Sequence, residues 1–354
     1  MKKIALLAVT AACFAGPLPA PAADAGAGCV PYRNVDFLCG PDSVEDLVGV
    51  PGTRWVVGSG FARPGKPGHL HLIDTAARKW RAVFPDAAAR VAHDTKAYGQ
   101  CPGAPDAQLF SAHGLALRAG QGGHHTLMAV NHGGREAVEF FELDATAEVP
   151  ALTWVGCLPM PKGVDLNSIA ALPDGGLLLT RFRGEHESID DILAGKANGA
   201  VYTWRPGGAV TEIPGSAVAG ANGIEVSADG RRMFVAAWAG RELVRFDRGS
   251  QLAGRKSVKL DFMPDNLRWA PDGSLLVAGQ NAMVKGAEAG HVQPKGWAVV
   301  RVDPETLEVT PLLRDDGTSP LQGVASALQV GDRIWLGSFQ SDRIGHTPAK
   351  TGSE

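Results

Sequence analysis

The chain has 354 residues, a formal net charge of -3, and 45 Gly with 24 Pro. The near-neutral balance argues against a nucleic-acid partner. Glycine and proline together make up about a fifth of the chain, against an average of roughly 12%, which indicates many short strands and tight turns.

In chain order the first segment reads as a secretory leader, residues 1–22. "MKK" is the basic start, "IALLAVTAACFAG" the apolar stretch, and "PAPA" offers an A-x-A cleavage site at Ala20 and Ala22. The apolar run is too short to span a membrane. Cleavage near Ala22 predicts a periplasmic or secreted protein whose mature chain, residues 23–354, is a single domain. "TAAC" resembles a lipobox only loosely, so lipid anchoring at Cys13 is the minor alternative. The mature chain keeps Cys29, Cys39, Cys101 and Cys157. Export favours disulfides, no C-x-x-C spacing suggests zinc, and four cysteines allow three pairings.

A repeated phrase then runs along the chain. It appears as "EDLVGVPGTRWVVGSG" from Glu45, "HGLALRAGQGGHHTLMAVN" from His113 and "SIAALPDGGLLLTRF" from Ser168. It returns as "GIEVSADGRRMFVAAW" from Gly223, "NLRWAPDGSLLVAGQ" from Asn266 and "GVASALQVGDRIWLGSF" from Gly323. Each copy is an apolar strand, a turn and a second apolar strand. Asp-Gly between apolar runs is a strong hairpin signal, because Gly accepts positive φ and Asp bonds its own turn. Further strands follow several copies, such as "GAVYTWRPG" and "RELVRFDRG". Six self-similar β units predict an all-β, six-bladed propeller with a central channel. A β-sandwich would not require six evenly phased hairpins.

Six residues before the turn positions Pro51, Ala119, Pro173, Ala228, Pro271 and Val330 stand Glu45, His113, Asn167, Asn222, Asp265 and Val324. Five of the six are polar, and each opens an apolar strand. The innermost strands of a propeller line its channel, so equivalent positions converge at one mouth. Glu45, Asn167, Asn222 and Asp265, with neighbouring Asn266, form a hard oxygen set that suits Ca²⁺. The set lacks the thiolates and multiple imidazoles that zinc or copper prefers. His124 and His125 read as exposed turn residues, and the acidic loop 184–191 as solvated or part of the rim. Trp238 and Phe339 fit pocket lining and inter-blade packing equally well.

"FSAHGLALR" and "LMAVNHGGREAVEFFEL" are similar to the matching stretch of the paraoxonase/arylesterase family. "SVEDL", "DLNSIAAL", "GANGIEVSADG", "PDNLRWAPDG" and "LQGVASAL" continue the resemblance in order over nearly all of the mature chain. More broadly, the chain resembles the senescence-marker/gluconolactonase family at Glu45, Asn167, Asn222 and Asp265. The resemblance implies one catalytic calcium held by Glu45, Asn167, Asn222, Asp265 and Asn266, with His113 and His132 as a dyad beside it. The structural calcium of that family uses the acids after the Glu and the Asn. Here these positions are Asp46 and Ser168, so a second ion is not expected. The family's disulfide joins the chain ends, but this chain has no cysteine after Cys157. Cys101 and Cys157 precede His113 and Asn167 by twelve and ten residues. Both then lie in connections entering adjacent blades, which favours Cys29–Cys39 and Cys101–Cys157.

These parts predict a hydrolase of small lactones and aryl esters. Calcium would polarise the carbonyl, and His113, oriented by His132, would activate water. Asp265 as the base, in a sugar-lactone lactonase, is the alternative within the same site. A non-enzymatic propeller braced by calcium is the alternative outside enzymology. No assembly signal is present in the sequence.

Overall fold

The computed structural model describes residues 29–349, except 185, 250 and 286–291. The expected leader, its cleavage site and Cys13 lie outside the described residues. Six antiparallel sheets follow one another along the chain. Blade 1 comprises Val44–Gly49, Trp55–Gly60, Leu70–Asp74 and Lys79–Phe84. Blade 2 comprises Ala112–Arg118, His124–Asn131, Ala137–Asp144 and Ala151–Pro159, with Arg90–Val91 added in parallel at its outer edge. Blades 3, 4 and 5 begin with Leu166–Ala171, Ala221–Val226 and Met263–Trp269, and blade 6 with Val324–Val330. Neighbouring first strands touch all the way round, including blade 6 against blade 1, so the ring is closed.

The Asp-Gly turns form as their sequence predicts. Gly175, Gly230 and Gly273 take φ of 90°, 72° and 84°, a region that strains residues with a side chain. Between successive blades lies an apolar layer. Trp154, Phe110 and Phe141 fill the layer between blades 1 and 2, and Phe234, Phe262 and Leu275 that between blades 4 and 5. Burial of each such side chain contributes roughly 1.5–3 kcal/mol.

Ring closure uses strand pairing. Asp36–Cys39 is the outermost strand of blade 6 and runs antiparallel to Arg343–Pro348, with Asp36 opposite His346 and Cys39 opposite Arg343. Hydrogen bonds across that seam replace the covalent end-to-end link that this sequence lacks. Both expected disulfides form, Cys29–Cys39 and Cys101–Cys157. The second does so for a different reason from the one read in the sequence. Cys157 lies inside the outer strand of blade 2, so the bridge pins the connection between blades 1 and 2 to that edge.

His125 is not the exposed turn residue that its sequence context suggests. It is buried inside a strand, and its Nδ1 accepts from the Gly120 N–H at 3.2 Å. The acidic loop leads into a short helix, Ile189–Leu193, capped by Ser188 and Asp191. Among the described residues no helix is long and apolar enough to cross a membrane.

His71 is buried edge-on to Trp80, and its Nδ1 has no partner. Burial, helped by His69, pushes its pKa down to about 3. The folded chain therefore refuses a proton that the unfolded chain takes up below about 6.5. Stability is fully present above that pH and is lost as pH falls towards 3, by at most about 1.4 kcal/mol per pH unit. Melting from pH 7 to pH 4 checks this: wild type loses stability relative to His71→Phe, by about 3 kcal/mol at pH 4. Parallel curves would exclude the effect.

Candidate functional site

Every first strand carries a β-bulge at the same level. The register slips between Val44 and Asp46, Ala112 and Leu115, Leu166 and Ile169, Ala221 and Ile224, Pro264 and Leu267, and Val324 and Ser326. A bulge bends the strand and re-aims its side chain. The bulged residues are Glu45, His113, Asn167, Asn222, Asp265 and Ala325. The sixth is Ala325, one residue beyond the expected Val324, because blade 6 turns through the two residues between Val330 and Arg333. That blade still offers no donor.

The bulges also explain the dipeptides HG and NG. A Cβ on Gly114 would lie 2.4 Å from the Asn167 carbonyl oxygen, and one on Gly223 2.4 Å from that of Asp265. Backbones of adjacent blades meet at these two points, and only glycine fits there.

Glu45, Asn167, Asn222, Asp265 and Asn266 are each 6% exposed or less. Asn266 donates Nδ2 to Glu45 Oε1 at 2.6 Å, and Gln280 donates Nε2 to Asp265 Oδ2 at 2.7 Å. Four further oxygens at this level are buried without any hydrogen-bond partner: Glu45 Oε2, Asn167 Oδ1, Asn222 Oδ1 and Asn266 Oδ1. An orphaned buried acceptor costs about 1–3 kcal/mol. Four together require a cation or bound water, and two carboxylates with three amide oxygens suit a hard divalent ion. Among the described residues no group of three His, Cys, Asp or Glu stands together as a metal cluster. The donor set is amide-rich instead. Burial, then the charge of Asp265, holds the Glu45 carboxyl well above the usual range, and burial pushes Asp265 up to about 7. A bound cation would reverse both shifts.

His113 Nδ1 lies 2.8 Å from His132 Nε2, and His132 Nδ1 lies 2.8 Å from Glu136 Oε2. The other Glu136 oxygen, Oε1, accepts from the Leu166 N–H at 2.6 Å. A carboxylate only accepts, so His132 carries its proton on Nδ1 and its Nε2 must accept. His113 then donates from Nδ1, which leaves Nε2 a bare lone pair, 3.7 Å from Glu45 Oε1. This tautomer assignment follows from the hydrogen-bond network. Burial, then His132, lowers the His113 pKa well below its ordinary value. Asn131 keeps its local role: its Oδ1 accepts from the Ser111 and Gly133 N–H groups.

The sequence reading missed Glu136 and Gln280. Glu136 had one available signal, a carboxylate four residues after His132. Gln280 had none. A second register was read only in part, at His132, Trp238 and Phe339. Opposite the residue that precedes each bulge stand, on the second strands, Gly60, Asn131, Arg181, Ala237, Gly279 and Ser338. The next residues are Phe61, His132, Phe182, Trp238, Gln280 and Phe339, so four large apolar rings stand level with the site. The Phe61 ring packs 4.5 Å from His113, and Phe182 lies edge-on to Trp238. Trp238 Nε1 donates to Gln280 Oε1 at 2.8 Å, which turns the Gln280 amide nitrogen towards Asp265.

Fold and cluster together define a six-bladed propeller with an oxygen-rich, imidazole-flanked site at one end of its channel. The chain belongs to the SMP-30/gluconolactonase/LRE-like family, whose model matches residues 65–311. It is similar in structure to a luciferin-regenerating enzyme, at 16% identity and a TM-score of 0.56 over 90% of this chain and 95% of that one. It is similar to a putative gluconolactonase at 15% and 0.53, over 94% and 99%. The calcium-binding protein regucalcin of Agrobacterium tumefaciens str. C58 gives 15% and 0.50, over 90% and 94%. At such identities the likeness is one of fold. None of the curated proteins matches the chain. The matches reach the broader of the two families read in the sequence, and the paraoxonase likeness is narrower than they are.

Proposed function

We propose that the protein is an exported, calcium-dependent hydrolase that opens lactones, and aryl esters beside them, in the manner of the paraoxonase branch. The observation that carries this is the bare His113 Nε2 set beside four orphaned oxygens. Glu45, Asn167, Asn222, Asp265 and Asn266 would hold the ion. Bound there, calcium would supply Lewis acidity towards a carbonyl oxygen. His113 Nε2 takes the proton of the attacking water. His132, held by Glu136, supports the imidazolium through its Nε2. The same proton then passes from His113 to the alkoxide oxygen as the acyl–oxygen bond breaks, so the cycle balances. Asp265 as the base remains the second reading, because its buried carboxylate stands at the same bulge level as His113. Two disulfides suit an oxidising compartment.

The aromatic collar supports apolar substrates over the sugar-lactone alternative. Ring faces offer a polyhydroxylated lactone no partners for its hydroxyls, whose desolvation then goes uncompensated. A pH-stat screen of alkyl, aryl and sugar lactones tests the reading. Turnover is abolished by EDTA, restored by calcium, and favours alkyl or aryl lactones over gluconolactone by about 10-fold or more in kcat/KM. A calcium-replete protein that opens no lactone or ester refutes the enzyme reading in favour of a calcium-braced binding propeller. A preference for gluconolactone selects the sugar-lactone alternative.

A further inference from the structure

One residue further down the channel than Glu45 lies a second level of negative groups. Asp46 is fully buried, and Glu225 stands near it from blade 4. The carbonyls of Leu47, Leu115 and Leu267 are directed into the same space. A paraoxonase-like chain implies a second ion here, and the residues of this chain do not fit one. Ser168 replaces the second carboxylate, and the guanidinium of Arg268 fills the place.

Arg268 Nε donates to Leu47 O at 2.8 Å. Its Nη1 donates to Leu267 O at 2.8 Å and Glu225 Oε1 at 3.2 Å. Its Nη2 donates to Leu115 O at 3.0 Å and to Asp46 Oδ2. All five guanidinium N–H groups are used. Asp46 is completed by the N–H groups of Leu47 and Leu115, each at 2.8 Å. The contrast between the two levels is plain. Around Glu45 four buried oxygens lack partners, whereas at the lower level both Asp46 oxygens have them and the Ser168 hydroxyl lacks one.

We propose that Arg268 is a tethered internal cation that takes the place of a structural metal, so that the channel holds one ion only and needs none at its centre. The fork joins blades 1, 2, 4 and 5 through one side chain. It also separates the candidate metal site from a cavity of about 640 Å³ at the far end of the channel, lined by Ala116, Ile169, Glu225 and Arg268. A planar guanidinium serves several acceptors in one plane, which a lysine ammonium cannot do.

Binding and melting experiments test this without any measurement of activity, so their failure is separate from failure of the lactone reading. Equilibrium dialysis of the wild type finds one tightly bound calcium per chain, and a second tight ion overturns the proposal. In EDTA, Arg268→Ala melts lower than wild type by on the order of 10 °C. Methylguanidinium at about 20 mM raises the melting temperature of that variant by several degrees and leaves wild type unchanged, as expected for a ligand that binds only the folded variant. A variant that melts like wild type, or that methylguanidinium does not raise, overturns the proposal. Should Arg268→Ala not fold, Arg268→Lys takes its place: it keeps the charge, loses the fork, and melts several degrees below wild type in EDTA. Wild-type stability in Arg268→Lys refutes the fork.

Discussion

His113→Gln lowers kcat for lactone opening by about 10²–10⁴-fold, the range that a positioned general base contributes, and leaves calcium affinity within a few-fold. The reason lies in the direction of the relay. Glu136 fixes the proton of His132 on Nδ1, and His132 in turn fixes that of His113 on Nδ1. Glutamine fills much of the same volume but has no basic nitrogen at the position of Nε2. Glu136→Gln removes only the anion at the end of the relay, so its cost is smaller, about 10-fold or somewhat more. Its signature is in the pH profile: without the carboxylate the imidazolium is less stabilised, and the acid limb of kcat/KM moves to lower pH. His113→Gln/Glu136→Gln is then no worse than His113→Gln alone, because Glu136 acts through His113. Retention of activity in His113→Gln with loss in Asp265→Asn would transfer the base to the carboxylate.

Glu45→Gln moves function and stability in opposite directions. Loss of one of two buried carboxylates weakens calcium binding by at least about 100-fold, more than is typical for residues that only support a ligand, and activity falls with it. The metal-free protein becomes more stable. Burial, then Asp265, holds the Glu45 carboxyl well above the usual range. A carboxyl raised in the folded state contributes stability that is present below its unfolded pKa, near 4.5, and is lost as pH rises through the folded value. The amide removes that loss and keeps an oxygen for the Asn266 amide, which bonds Glu45 Oε1 at 2.6 Å. The melting temperature in EDTA at pH 8 is higher for the variant than for wild type, and the difference shrinks as pH falls towards about 4.5. Equal melting temperatures in EDTA, or unchanged calcium titration, would show that Glu45 is not part of the cation site.

Much of this was legible in the sequence. Alternating apolar runs around Asp-Gly turns define each blade locally, because a hairpin is decided by neighbouring residues. Counting from those turns also reached Glu45, His113, Asn167, Asn222 and Asp265, because every blade repeats one bulge at one level. The count slipped by one residue in blade 6, where the turn is shorter. His125 was misread because adjacent histidines near Gly-Gly look like a turn, whereas the strand begins at His124.

What stayed hidden depends on contacts between distant segments. Arg268 sits in "NLRWAPDG" like any polar residue of a strand, and its partner Asp46 is 222 residues away. Gln280 gains its meaning only from Trp238 and Asp265 on either side of it. Hence the sequence by itself determined six blades, a common level and the chemical types that stand there, since these depend on short-range pattern and repetition. Closure of the ring decided which oxygens stay unpaired, which imidazole nitrogen is left bare and which cation fills the centre. Those properties are set by burial and by partners that no local pattern encodes.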